Sequence, residues 1–203
     1  MCLFCENCGF KSNEIKPAGV IQTFGTRMAL QVKSAKDLDR EVLKSDTAGV
    51  EIPDVELHLA EGGLGGVYTT VEGLLSKLHD ILKDANPFWA GDSVNKNHSI
   101  IKYEAKSLRF LTLLENLASM KSGNRFPFTL IIDDPLSNSF IGPIDHSIVN
   151  HNAQMGRNGY STSTRSNDSD LDIVTYERTD DQNETLGFNS FKIEHDQDIN
   201  FDD

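Results

Sequence analysis

Cysteine is absent from residue 9 to the end of this 203-residue chain, and the three that exist, Cys2, Cys5 and Cys8, crowd the first eight positions. An odd number of thiols at that spacing excludes a disulfide framework and argues for a reducing compartment. Basic residues are also scarce: 19 Lys and Arg stand against 31 Asp and Glu, giving a formal net charge of −12. That balance argues against a nucleic-acid backbone or an anionic membrane as partner, and favours basic proteins. No apolar run approaches the roughly 20 residues of a membrane span. No basic stretch leading into an apolar segment marks a signal peptide. These absences lead us to expect a soluble intracellular protein, in which the sequons at Asn97, Asn167 and Asn183 are chance matches. The length suits one sizeable domain that buries a core without covalent staples.

What is present begins with Cys5-Glu6-Asn7-Cys8-Gly9, which reads as half of a zinc knuckle. A structural Zn²⁺ site takes four nitrogen or sulfur ligands, usually as two such pairs. Cys5 and Cys8 are therefore candidate metal ligands, and Cys2 is a third thiol able to stand in for a missing one. No histidine lies near them in sequence. A redox role for the pair would need a thioredoxin-like βαβ unit around it, and none is suggested.

Along the chain, residues 20–32 are apolar and β-branched around Gly25, a pattern that predicts a hairpin or a bulged strand. Residues 37–43 read as a short helical turn with Asp37 as N-cap. Residues 49–59 alternate like a strand, with Pro53 marking an edge or bulge. Gly62 to Gly66 lacks the Lys-Ser/Thr of a phosphate-binding loop and reads as a tight turn. Thr69 and Glu72 form a capping box that opens a helix whose stripe is Leu74, Leu75, Leu78, Ile81 and Leu82. A second helix over about 101–121 presents Phe110, Leu113, Leu114 and Leu117, and Gly123 stops it. The two make a helical hairpin spanning about 70–122. A buried strand covers 127–132, stopped by Asp133-Asp134-Pro135, and shorter strand character returns at 139–141 and 173–176. Residues 151–170 lose apolar content and read as a flexible loop; 194–203 is an acidic tail.

Asp133 and Asp134 carry two readings. They are a strand-ending turn, with side chains bonding backbone N–H groups, or a carboxylate pair for a hard cation. The second reading, with His146, gives a metal-dependent hydrolase. The first, which we prefer, leaves no catalytic residue in the chain.

Several segments together resemble the ZPR family of zinc-finger proteins. They are Cys5-x-x-Cys8-Gly9 with Asn13-Glu14-Ile15, the Asp37–Asp46 segment with Ile52-Pro53, Gly65–Leu75, Pro127–Pro135 and Tyr176-Glu177-Arg178-Thr179. The wording is most similar to the second, C-terminal module of eukaryotic members. The resemblance implies an α+β, mostly β fold: a jelly-roll-like antiparallel domain over 17–193 with a helical hairpin, behind a partial zinc finger at 1–16. It further implies a non-enzymatic, zinc-binding chaperone of translation elongation factor 1-alpha, found in cytoplasm and nucleus. Only the second Cys pair of a family finger maps here, onto Cys5 and Cys8, as expected of a fragment or a reduced paralogue. A zinc-free scaffolding remnant is the alternative within the family. Leu3, Phe4 and Phe10, apolar beside the knuckle, are the expected client contacts.

Overall fold

The computed structural model describes residues 2–4, 6, 7, 11–13, 22–85, 100–142 and 168–188, and for 2–4, 11–13 and 100–107 the backbone alone. The first elements, β1 (Cys2–Phe4) and β2 (Lys11–Asn13), form a small antiparallel hairpin. β3 (Phe24–Val32) follows, and its two-residue alternation sends Met28, Leu30 and Val32 into the core. The hairpin or bulge expected at Gly25 does not form, and the strand runs straight through it. The glycine is there for another reason: a Cβ on Gly25 would lie 2.5 Å from Cζ of Tyr176.

α1 (Ala35–Leu38) is a single turn whose N-cap is Ser34, so Asp37 is not the N-cap. Asp37 sits three residues in and reaches back, accepting from the backbone N–H of Lys33 at 3.0 Å and of Ser34 at 2.9 Å. The helix stops at Leu38, and β4 (Glu41–Lys44) occupies the rest of the expected turn. Over 49–59 the expected single strand is two. β5 (Gly49–Ile52) is ended by Pro53, a 3₁₀ turn covers Pro53–Val55, and β6 (Leu57–Leu59) pairs back on β5. Glu56 makes that return in the left-handed region, at φ 54°.

β7 (Val67–Thr70) leads directly into α2 (Val71–Ala85). The cap is Thr70 and not Thr69, because Thr70 Oγ1 accepts from Gly73 N–H at 3.2 Å. α3 (Ile100–Lys121) packs on α2, with Leu74, Leu75 and Leu78 buried on one helix and Phe110, Leu114, Leu117 and Met120 on the other. Ile81, expected on the same stripe, is exposed. α3 ends as its glycine foretells. Gly123 has φ +70° and donates to Met120 O, while Asn124 N–H reaches back to Ser119 O at 2.9 Å.

The remaining elements are β8 (Phe128–Asp134), β9 (Phe140–Ile141), β10 (Leu171–Glu177) and α4 (Asp180–Thr185), the last capped by Thr179. One sheet has the order β10-β3-β8-β5-β6 and a second β7-β4-β9, with every pairing antiparallel. Side chains from both sheets, α2 and α3 meet in one core built around Leu30, Val42, Leu75, Leu117, Leu130 and Ile132. Each fully buried Leu or Ile contributes about 1.5–3 kcal/mol of transfer free energy.

Candidate functional site

Of the expected metal ligands, Cys5 and Cys8 lie outside the described residues, as does Phe10 among the expected client contacts. Cys2, Leu3 and Phe4 form β1, opposite Asn13, Ser12 and Lys11. The turn at Glu6 and Asn7 falls between Cys5 and Cys8 in sequence. A turn at that point is what a two-residue thiolate spacing needs to converge on one ion. The three thiols suit zinc in kind and fall one short of a four-ligand shell. Among the described residues no group of three or more His, Cys, Asp or Glu is placed to hold a metal.

The Asp133–Asp134 pair does not form a site. β8 runs through both residues instead of stopping before them, so strand alternation sends their side chains to opposite faces. Asp134 is fully buried and spent on a turn. Its Oδ1 accepts from Thr47 Oγ1 and Leu136 N–H, both at 3.0 Å. Its Oδ2 accepts from Ser45 Oγ at 2.9 Å, Asn138 N–H at 2.8 Å and Ser139 Oγ at 2.6 Å. Five donors leave this carboxylate nothing to offer a cation or a water. His146 lies outside the described residues. The hydrolase reading thereby loses the carboxylate pair on which it stood.

Asp133 joins a different network, on the outer face of the large sheet. It accepts from Tyr176 Oη at 2.6 Å and from Arg27 at 3.1 Å, and Arg27 also pairs with Glu51 at 2.9 Å. Burial, and then the bond to Asp133, push the Tyr176 phenol far above its ordinary range. The bond to Glu51 raises the Arg27 guanidinium. All four groups are engaged with one another, which is the pattern of a brace across β10, β3, β8 and β5.

Two buried cations went unread in the sequence. Arg40 binds Asp37 at 3.0 Å and makes a bidentate pair with Asp168. It also donates to Gly142 O at 3.4 Å. One guanidinium thus holds both described ends of the interval 143–167. Asp168 to Asp170, expected within the flexible loop, are fixed in place here. The bond from Arg40 depresses the Asp168 carboxyl; at Asp37, burial pushes upward but is outweighed by bonds from Lys33, Arg40 and Ser34. Lys44 is fully buried, its Nζ donating to Ser45 O at 2.9 Å and Gly65 O at 3.2 Å, and burial lowers its pKa. Alternation from buried Val42 was the available signal that Lys44 points inward.

Among the described residues, several large apolar side chains are exposed to solvent. On the small sheet Leu43 stands opposite Tyr68 on one side and Phe140 on the other, a single cross-strand row. Tyr68 is 56% exposed and Phe140 49%. Glu41, two residues from Leu43 and so on the same face, bonds the Tyr68 hydroxyl and raises its pKa. α3 adds exposed Leu108 and Leu111, three residues apart on one helical face.

Comparison with known proteins matches residues 36–188, from α1 to the residue after the turn closing α4, to the ZPR1 jelly-roll domain. The chain belongs to the ZPR1 family. It is 35% identical to the human zinc finger protein ZPR1 over 190 residues, covering 94% of this chain and 35% of that protein. It is 36% identical to the zinc finger chaperone zpr1 of Schizosaccharomyces pombe over 195 residues, covering 96% and 37%. An uncharacterised ZPR1-like protein of Methanocaldococcus jannaschii is 29% identical over 140 residues, covering 68% and 63%. The chain spans about a third of the length of its eukaryotic relatives. The jelly-roll fold expected from the sequence is the one observed, and the buried Arg40, Lys44 and Asp134 all lie within the matched domain.

Proposed function

We propose that this chain is the protein-binding module of a zinc-finger chaperone that holds translation elongation factor 1-alpha while it folds. The observation that carries the reading is the exposed Tyr68–Leu43–Phe140 row, set in a domain whose buried Asp37, Arg40, Lys44 and Asp134 are all bonded internally. Aromatic side chains of this exposure are the usual anchors of protein interfaces. The S. pombe relative's name, a zinc finger chaperone, supports the same reading. With a net charge of −12, the chain attracts a basic client at long range. Leu3, Phe4 and Phe10, apolar beside the knuckle in sequence, are further client contacts on this reading. Cys5 and Cys8, with Cys2 as third thiol, hold zinc as a brace that supplies folding energy and no chemistry. On this reading the protein works in cytoplasm and nucleus.

The test is retention of elongation factor 1-alpha from lysate by the immobilised chain, with a Tyr68→Ser/Phe140→Ser variant beside it. We expect capture by the wild type and its loss in the variant at unchanged thermal stability. No capture, even by a form extended to carry the upstream Cys pair, overturns the proposal.

A further inference from the structure

Among the described residues, every edge of the two larger sheets but one is blunted by brevity. β6 has three residues, β7 four and β9 two. β10 has seven, runs in unbroken register along β3 from Leu171↔Leu30 to Glu177↔Phe24, and contains no proline, lysine or bulge. Among the described residues no strand pairs with its outer side over Ile173–Glu177. Native edges of this length are ordinarily covered, kinked or given a lysine, because their free N–H and C=O groups template another strand.

The hydrogen-bond phase of this edge is fixed by one contact. Gln31 N–H donates to Asp170 O at 2.8 Å, between residues directly opposite each other. Antiparallel pairs alternate, so Asp172, Val174 and Tyr176 also turn their backbone groups toward β3. Ile173, Thr175 and Glu177 then turn theirs outward. Side chains beside that row suit an incoming strand on both faces, with Ile173 36% exposed on the core side and Val174 51% exposed on the other.

Charge selects the occupant. Asp172 and Glu177 stand on the strand, and Asp180 and Asp181 open α4 just beyond it. Among the described residues none of the four enters an ion pair. The neighbouring cations are taken: Lys33 by Asp170, Arg27 by Glu51 and Asp133, and Arg178 by Gln22 O, Pro135 O and Asn183.

We propose that the Ile173–Glu177 edge is a β-augmentation site for an extended basic segment of a partner protein, which adds as a sixth strand beside β10. The inference rests on the reading of the chain as a protein-binding module, and gives that module a second, main-chain mode of contact. The backbone ladder supplies affinity, and the acidic flanks select lysine- or arginine-bearing strands over this chain's own β10.

The probe is the fluorescein-labelled heptapeptide Thr-Lys-Val-Lys-Val-Lys-Thr, with a counterpart carrying Glu at the Lys positions. Binding to the full chain is read by anisotropy, and amide protection by NMR hydrogen exchange. We expect saturable binding of the basic peptide alone, weakened by salt, with new protection at Ile173, Thr175 and Glu177. Thr175→Pro removes one outward donor and leaves the ladder to β3 intact, and should weaken binding about tenfold at unchanged melting temperature. Should that variant fold poorly, Asp172→Lys/Glu177→Lys serves in its place, with about a fivefold loss and a flatter salt dependence. Equal binding of the acidic peptide, protection confined elsewhere, binding indifferent to both variants, or self-association through β10 would each overturn the proposal. Capture of elongation factor 1-alpha is measured separately with the same chains. Peptide binding at the edge without capture sinks the client assignment and keeps the edge; capture with no peptide binding does the reverse.

Discussion

Replacing Asp134 by alanine removes the acceptor for five donors at once, and the cost can be worked out from their chemistry. The three hydroxyls can turn elsewhere: Ser45 and Thr47 already face each other at 3.0 Å. The amides of Leu136 and Asn138 cannot turn, and each buried donor left without a partner costs about 1–3 kcal/mol. Asp134→Ala should therefore destabilise by about 2–6 kcal/mol, a large share of the 5–15 kcal/mol that holds a domain together. At about 2–4 °C per kcal/mol for a chain of this size, the melting temperature falls by roughly 4–24 °C. Asp134→Asn should cost less. Its oxygen can keep the three-donor side formed by Ser45, Asn138 and Ser139, while its amide faces Thr47, whose hydroxyl can accept. Only Leu136 N–H is orphaned, for about 1–3 kcal/mol. Calorimetry or urea unfolding of the two variants measures both. An Asp134→Ala protein melting within about 2 °C of wild type would refute the claim that this carboxylate is a structural knot.

Further outcomes follow from the same geometry. The folded carboxyls of Asp37 and Asp168 are depressed below 3.8. Their contribution is thus complete above that pH and lost as pH falls through the lower folded values; urea midpoints should drop in that acid range, and less so in Arg40→Met. Gly25→Val drives a side chain into the Tyr176 ring and should destabilise by about 1–3 kcal/mol by urea unfolding, an effect that Tyr176→Ala in the same chain partly relieves. Metal analysis of the purified full chain tests the thiol brace: zinc bound through Cys5 and Cys8 should be lost in Cys5→Ser/Cys8→Ser, and a wild-type chain that never retains zinc would remove the brace from the proposal.

Local chemistry was legible in the sequence, and distant chemistry was not. The helical hairpin could be read because Leu74, Leu75 and Leu78 repeat at helical spacing and Gly123 supplies the left-handed residue that closes α3. The strand around Leu130 was equally plain. Gly25 misled because the reason for it, the Tyr176 ring, lies some 150 residues away along the chain; nothing beside it distinguishes a turn glycine from one that makes room. Asp37 misled by one turn of helix, since a capping carboxylate works from N-cap or from three residues inside. The preferred turn reading of Asp133–Asp134 holds for Asp134, which accepts from Leu136 and Asn138 N–H; the alternative cation site was possible only while β8 was thought to stop before the pair. Once the strand continues, adjacent carboxylates cannot face the same way. Arg40 was hard to read as a buried cation because two of its partners, Asp168 and Gly142, are brought to it by the fold; Lys44 had a local signal in its alternation with Val42, but its partner Gly65 is distant in sequence. The knuckle, the clearest motif in the sequence, falls largely at residues whose placement is not described.

The guanidinium of Arg40 fastens Gly142 and Asp168 to the same spot, so the two ends of the interval 143–167 are held together. Closing a loop between fixed points becomes only about 0.6 kcal/mol harder each time its length doubles. The interval 143–167 is therefore a natural graft point. Sequence of very different size could be spliced there, by evolution or at the bench, while the sheets on either side keep their register.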